Sequence, residues 1–285
     1  MSQRPKPRVS VVQYLNTAPL VWGMLHGAQR GRFELEFTTP ARCADHLRDQ
    51  KVDVGIIPAI EYQRIDGLEI IPGVSIASKA PVRSVLLFSR VPLEEVGTVA
   101  MDNSSRTSVA LTTILLRKFY RRDFTSLPAN PDPEAMLAHG DAALVIGDPA
   151  LTWRGSVEHV YDLAAEWRKF TGLPFVFAVW AVRARQGDAA PAGLTADFAA
   201  SRDYGLAHLD EIAAEYASRF GMTVEDVKVY LTENIDYTLD EENLKGLRLF
   251  YRLARELDLI PAEKDLHFVG SEQLPESFVA CGSSG

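Results

Sequence analysis

Arg8-Val9-Ser10-Val11-Val12-Gln13-Tyr14 opens a run, closing at Val52-Asp53-Val54-Gly55-Ile56-Ile57-Pro58, in which short apolar strands alternate with helical patterns. Between the two ends lie a helix over Leu20 to Leu25 with Pro19 near its start, a half-exposed strand Phe33 to Phe37 that alternates apolar and acidic residues, and an amphipathic helix over Ala41 to Gln50. A β-α-β-α-β order predicts a parallel, doubly wound sheet with helices on both faces. Ligands of such sheets gather beyond the carboxyl ends of the strands. That rule selects Tyr14-Leu15-Asn16-Thr17 and Pro58-Ala59-Ile60-Glu61-Tyr62 as a candidate wall.

Working outward, Val74 to Ser78 and Val82 to Ser89 read as strands, and Arg90-Val91-Pro92 as a crossing to a second lobe. From Val96 the alternation resumes. A short buried strand ends at Met101 and the polar turn Asp102-Asn103-Ser104-Ser105-Arg106-Thr107 leads into a helix over Ser108 to Tyr120. A strand over Phe124 to Leu127, a helix over Asp132 to His139 and a strand over Ala142 to Ile146 follow, the last ending in Gly147-Asp148-Pro149. After a helix around Leu163 to Phe170, the apolar strand Pro174 to Val182 carries the chain back, and Thr195 to Leu257 is helical and expected to pack on the first lobe. The expectation is an α/β fold of two lobes, residues 1–90 with 183–285 and residues 91–182, holding a ligand cleft between them. The final Cys281 to Gly285 is expected to be disordered.

Composition narrows the partners. At 285 residues, 47% hydrophobic and 24% charged, the chain suits two lobes of ordinary size. A net charge of −8 argues against a nucleic-acid partner, which needs a basic face. No apolar run approaches the roughly 20 residues that span a bilayer, and Met1 to Arg8 lacks a secretory pattern, so a cytoplasmic protein is expected. The two cysteines, Cys43 and Cys281, read as free thiols, and the six histidines show no pair at metal-ligand spacing, so no metal or cofactor is expected. Oligomeric state is not legible here.

The hydroxyl-rich turn is the chemical focus. The first turn of a helix has N–H groups without intrahelical partners and about half a positive charge, so Ser104, Ser105, Arg106, Thr107 and Ser108 together suit a carboxylate or phosphate. The plainer alternative is that Ser104 or Ser105 simply caps the helix. By the topology above, the neighbourhoods of Asn16 and Thr17, Pro58 and Glu61, Arg83 and Ser84, and Gly147 and Asp148 face the same space.

Six blocks resemble, in order, the chorismate dehydratases of the futalosine route to menaquinone: Tyr14 to Leu20, Asp53 to Pro58, Val82 to Ser89, Asp102 to Leu111, Ile146 to Leu151 and Leu173 to Phe177. The resemblance implies the fold of type II periplasmic solute-binding proteins, in agreement with the two lobes. It implies removal of water from chorismate, a small dianion, to give 3-[(1-carboxyvinyl)oxy]benzoate, with no cofactor. It also points to Asn16 and Ser84 as catalytic residues. The alternatives for these two are a turn former and a strand hydroxyl bonded to backbone.

No strong general base declares itself. Asp148 before Pro149 reads as a helix cap, and Glu61 as the holder of a loop. A carboxylate base beside a dianion also meets like-charge repulsion, so the substrate's own enolpyruvyl carboxylate is the expected proton acceptor. Three other readings stay open. One is the later naphthoate synthase of the same pathway and fold, which the resemblance says relies on a cleft histidine. The others are a non-catalytic binder of a small anion and the effector lobe of a transcription regulator.

Overall fold

The computed structural model describes residues 5–183 and 193–270. In chain order the strands are β1 (Arg8–Val12), β2 (Glu34–Thr38), β3 (Val54–Pro58), β4 (Leu68–Ser78), β5 (Val85–Ser89), β6 (Thr98–Asp102), β7 (Thr125–Ala129), β8 (Ala142–Ile146), β9 (His159–Asp162) and β10 (Phe175–Arg183). They make two five-stranded sheets, ordered β2-β1-β3-β10-β4 and β7-β6-β8-β5-β9. In each, the first three strands are parallel, as the alternating pattern requires, and the last two run antiparallel to their neighbours. Every residue of β3 and of β8 is buried, since both lie inside a sheet with helices on either face.

Two strands sit in the other lobe from the one the sequence suggested. Val85–Ser89, expected on the first lobe, pairs with β8 and β9 in the second sheet. Phe175–Arg183, expected on the second lobe, lies between β3 and β4 in the first. The crossings are therefore residues 79–84 and 172–174, and Arg90-Val91-Pro92 falls inside the second lobe. Both strands are apolar on two faces, so their own residues do not distinguish one sheet from the other.

In the first lobe, helices α1 (Ala18–His26), α2 (Pro40–Arg48) and α3 (Ala59–Arg64) follow β1, β2 and β3. In the second, α4 (Thr107–Ile114), α5 (Pro133–Leu137), α6 (Gly147–Thr152) and α7 (Leu163–Thr171) follow β6, β7, β8 and β9. The C-terminal helices are α8 (Leu194–Ala207), α9 (Leu209–Phe220), α10 (Val224–Val229) and α11 (Glu241–Glu256), with a π-helical turn, Tyr230–Asn234, between the last two. Helix α8 packs on α1 and β4, while α11 lies on β10 and also touches α4 of the second lobe. The main core consequently runs unbroken from the first sheet into the second, and a smaller cluster of Phe88, Met136 and Val145 fills the outer face of the second sheet. The tail at Cys281 to Gly285 lies outside the described residues.

Candidate active site

The cleft opens where the carboxyl ends of β1 and β3 face those of β6 and β8. Its walls include Val12, Tyr14, Asn16, Pro58 and Ile76 from the first lobe, and Ser84, Ser105, Thr107, Ser108 and Gly147 from the second lobe and the crossing. The empty space between them is about 530 Å³, counting solvent at the mouth. Among the described residues no acidic side chain lines it, and the one charged lining residue is Arg106. An anion entering this space meets donors directly, with Asp102 and Asp148 turned to partners behind the wall.

The start of α4 is the strongest of those donors. No side chain caps it. The first intrahelical bond runs from the Ala110 N–H to the Arg106 carbonyl at 3.2 Å, so the N–H groups ahead of it in the first turn have no intrahelical acceptor. Ser105, Thr107 and Ser108 are buried against the cleft. The alternative that Ser104 caps the helix does not hold, because its amide and hydroxyl both donate to Asp102 Oδ1, at 2.8 and 2.7 Å. Burial pushes the Asp102 carboxyl above its ordinary range.

Arg106 lines the cleft but spends its guanidinium elsewhere. It donates to Glu61 Oε2 at 2.9 Å and to both Asp45 oxygens at 2.9 and 3.0 Å. Glu61 is 1% exposed and also ion-paired with Arg48 and Arg64, so three arginines surround this one carboxylate. The pairing joins the lobes, since Arg106 belongs to the second and its partners to the first. Glu61 is thus committed to a structural cluster and does not line the cleft.

Four more bonds bridge the lobes around the cleft. Tyr14 Oη and Ser104 Oγ lie 3.2 Å apart, and the Ala41 N–H donates to the Ser104 carbonyl at 3.2 Å. The Ile60 N–H, in the first turn of α3, donates to Thr107 Oγ1 at 3.2 Å. The Leu15 N–H donates to Asp148 Oδ1 at 2.9 Å. Asp148 was expected to cap its own helix; the structure gives α6 no side-chain cap and turns this carboxylate across to the other lobe. Burial raises its pKa from 3.8 to about 6, against the Leu15 N–H and the Arg219 charge, which both favour the ionised form. Gly147 makes the approach of the lobes possible. Its φ is +66°, and a Cβ there would lie 2.6 Å from the Tyr14 ring.

Asn16 and Ser84 both reach the cleft. Asn16 Oδ1 accepts from Thr17 Oγ1 at 3.3 Å. Ser84 is fully buried, and its Oγ accepts from the Tyr230 hydroxyl at 2.8 Å while facing the Val82 carbonyl at 3.4 Å. Five residues chosen from sequence are not on the cleft wall: Glu61, Ser104 and Asp148, held by the bonds above, and Arg83 and Thr17. The Arg83 backbone, at φ +61°, forms the turn of the crossing and gives its N–H to Asp162 at 2.6 Å. Its side chain is not on the cleft wall. Thr17 faces an adjoining cavity with Trp22, Tyr216 and Arg219, on the other side of Tyr14. Residue chemistry gave no reason to select Val12, Ile76 or Phe177, which are apolar wall residues, nor Tyr230, which lies far along the chain. Among the described residues no group of three or more His, Cys, Asp or Glu side chains converges to hold a metal, and no histidine lines the cleft.

Two α/β lobes with an acid-free, donor-lined cleft define a protein of the periplasmic-binding-protein-like class. The same fold is seen in a structural-genomics protein from Archaeoglobus fulgidus, 20% identical, covering 91% of this chain and all of that one with a TM-score of 0.71. It is also seen in the periplasmic aliphatic sulphonate binding protein SsuA from Escherichia coli, 16% identical, covering 99% of each chain with a TM-score of 0.61. Residues 7–256 match the family model described as menaquinone biosynthesis, and the chain belongs to that family. It is 31% identical over 262 residues to the chorismate dehydratase of Thermus thermophilus, covering 84% of this chain and 91% of that one. The chorismate dehydratase of Campylobacter jejuni is 25% identical over 258 residues, covering 87% and 97%.

Proposed function

We propose that the chain is a chorismate dehydratase, a hydro-lyase that converts chorismate to 3-[(1-carboxyvinyl)oxy]benzoate and water. The observation that carries the reading is the uncapped start of α4, with Ser105, Thr107 and Ser108, in a cleft without acidic residues and opposite Asn16 and Ser84. The reaction removes the proton from the ring carbon that bears the enolpyruvyl ether and expels the neighbouring hydroxyl as water. The ring carboxylate is conjugated with the carbanion that develops, so donors around it stabilise that charge. The N–H groups of α4 are such donors.

Ser84 and Asn16 serve the other end of the reaction. A serine hydroxyl donates to the departing oxygen, and an amide both donates and accepts, which holds the substrate's second polar group. The acceptor of the ring proton is the substrate's own enolpyruvyl carboxylate. Two observations support this: Glu61 is enclosed by three arginines away from the cleft, and Asp148 is turned to the Leu15 N–H.

Purified, metal-stripped protein mixed with chorismate tests the reading by chromatography with absorbance and mass detection. A new aromatic species lighter than chorismate by one water is expected. Unchanged chorismate that nevertheless protects the protein against heating would favour a non-catalytic binder, and no effect at all would point to the later pathway enzyme.

A further inference from the structure

Ser84 stands at the end of the first crossing, and two side chains of one π-helical turn hold that crossing in place. Asn234 Nδ2 donates to the Pro81 carbonyl at 2.8 Å, and the Tyr230 hydroxyl donates to Ser84 Oγ at 2.8 Å. The turn Tyr230–Asn234 departs from ordinary helical geometry where it meets the crossing that carries Ser84, and such turns are frequent at functional sites. The segment after it is also tied to the first lobe. Asp236 exchanges backbone bonds with Ala77 at 2.8 Å in both directions, and the Ser75 N–H donates to the Tyr237 carbonyl at 3.1 Å. The π turn that carries Tyr230 is therefore followed by a segment anchored on β4.

The direction of the Tyr230 bond matters. A hydroxyl that accepts one hydrogen bond still has its own proton to give. The Ser84 hydroxyl donates to the Val82 carbonyl at 3.4 Å, near the limit of a hydrogen bond. A bond this long is readily exchanged for an acceptor in the cleft, and accepting from the phenol makes the serine a better donor. Burial holds the phenol neutral well above its ordinary range, so it stays a donor across the working pH range. The Asn16 side chain lies within hydrogen-bonding reach of the same phenol, so one buried hydroxyl touches both residues assigned to the chemistry.

We infer that Tyr230 is a positioning residue, which orients the Ser84 hydroxyl as a proton donor toward the departing oxygen of the substrate. The inference rests on the dehydratase reading. In that step the ring C–O bond breaks with its electron pair on oxygen, Ser84 gives its proton to that oxygen to complete the water, and Ser84 is reprotonated by the enolpyruvyl carboxyl group, which had taken the ring proton. Tyr230 remains protonated throughout.

The test is a double-mutant cycle of Tyr230→Phe and Ser84→Ala, with turnover number and Michaelis constant for chorismate measured for each variant and folding checked by thermal melting. Tyr230→Phe keeps the buried ring and removes only the hydroxyl. It is expected to lower the turnover number about 10-fold or more while the Michaelis constant stays within about twofold. In the Ser84→Ala background it is expected to cost nothing further. Equal losses in both backgrounds, or Tyr230→Phe at full activity, would overturn the role of Tyr230 while the active wild type keeps the dehydratase reading. If Tyr230→Phe does not fold, Ser84→Ala and Ser84→Thr decide. Retention of most turnover by Ser84→Ala removes the proton path and with it the inference, whereas loss in Ser84→Ala with rescue by Ser84→Thr supports it. A wild type without turnover would overturn both.

Discussion

Helices α4 and α7 both begin at the end of a strand in the second lobe, yet their first turns are satisfied differently. At α7 the carboxylate of Asp162 accepts the N–H groups of Ala164 and Ala165, at 3.0 and 3.1 Å. At α4, in a stretch richer in hydroxyls, no side chain does the same. The contrast extends across the molecule. Helices α5, α10 and α11 are capped by Asp132, Thr223 and Asp240. Helices α2, α3, α6, α8 and α9 also carry no side-chain cap of their own, but at α2, α3 and α6 a first-turn N–H is taken across the lobes or the crossing, by the Ser104 carbonyl, Thr107 Oγ1 and the Ser84 carbonyl. Under the reading proposed above, the partner of the open start of α4 is the substrate's carboxylate.

The acids nearest the cleft are the first place to break this contrast. Glu61 belongs to the first turn of α3, but its charge serves Arg48, Arg64 and Arg106. Glu61→Gln leaves three guanidinium groups around a neutral amide and is expected to destabilise the fold by roughly 3 kcal/mol in chemical denaturation. Turnover per folded molecule should change less than about 10-fold. A loss above about 10³ at unchanged binding would identify Glu61 as the base and remove substrate assistance.

Asp148 gives the next effect. Its folded pKa of about 6 exceeds the ordinary 3.8, so between those values the folded form binds more protons than the unfolded one. Stability is therefore lost as pH rises through that window. Asp148→Asn keeps an oxygen acceptor for the Leu15 N–H and cannot ionise. Its melting temperature is expected to match wild type near pH 4 and to exceed it by pH 7, a gap of about 2–3 kcal/mol. A gap that is constant with pH would show that Asp148 is not held in a disfavoured ionised state.

Legibility in the sequence followed periodicity and polarity. The β-α-β-α-β order of residues 8–58 was plain because each strand is bounded by a helix of different period. The sheets of Val85–Ser89 and Phe175–Arg183 were not, because a central strand is apolar on both faces and carries no mark of its neighbours. In the cleft, Asn16, Ser84 and the Ser105 to Ser108 run stood out as polar groups at strand ends. Arg106 and Glu61 stood out for the same reason, yet they face each other, which nothing local could reveal at a separation of 45 residues. Tyr230 is 146 residues from Ser84 and reaches it through a π turn that breaks the helical register.

Making α4 resemble α7 sharpens the comparison directly. Ser105→Asp places a carboxylate where the substrate's is proposed to sit. The helix start gains about 0.5–1 kcal/mol from the added negative charge, while a dianionic ligand meets an occupied and repulsive seat. The Michaelis constant for chorismate is expected to rise at least about 10-fold with a slightly higher melting temperature. An unchanged Michaelis constant would place the substrate carboxylate elsewhere in the cleft.

The smallest effect is expected on the outer side, and it decides whether the contrast concerns function or only helix starts in general. Asp132 caps α5 through an exposed bond to the Ala135 N–H at 3.1 Å, away from the cleft wall. Asp132→Ala should cost about 1 kcal/mol, as lost caps do, a shift of roughly 2–4 °C in a melt of a chain this size. Its kinetics should equal wild type, because α5 presents nothing to the substrate. If Asp132→Ala instead raised the Michaelis constant as Ser105→Asp does, disturbing any helix start in this lobe would weaken the ligand, and the open start of α4 would lose its special standing.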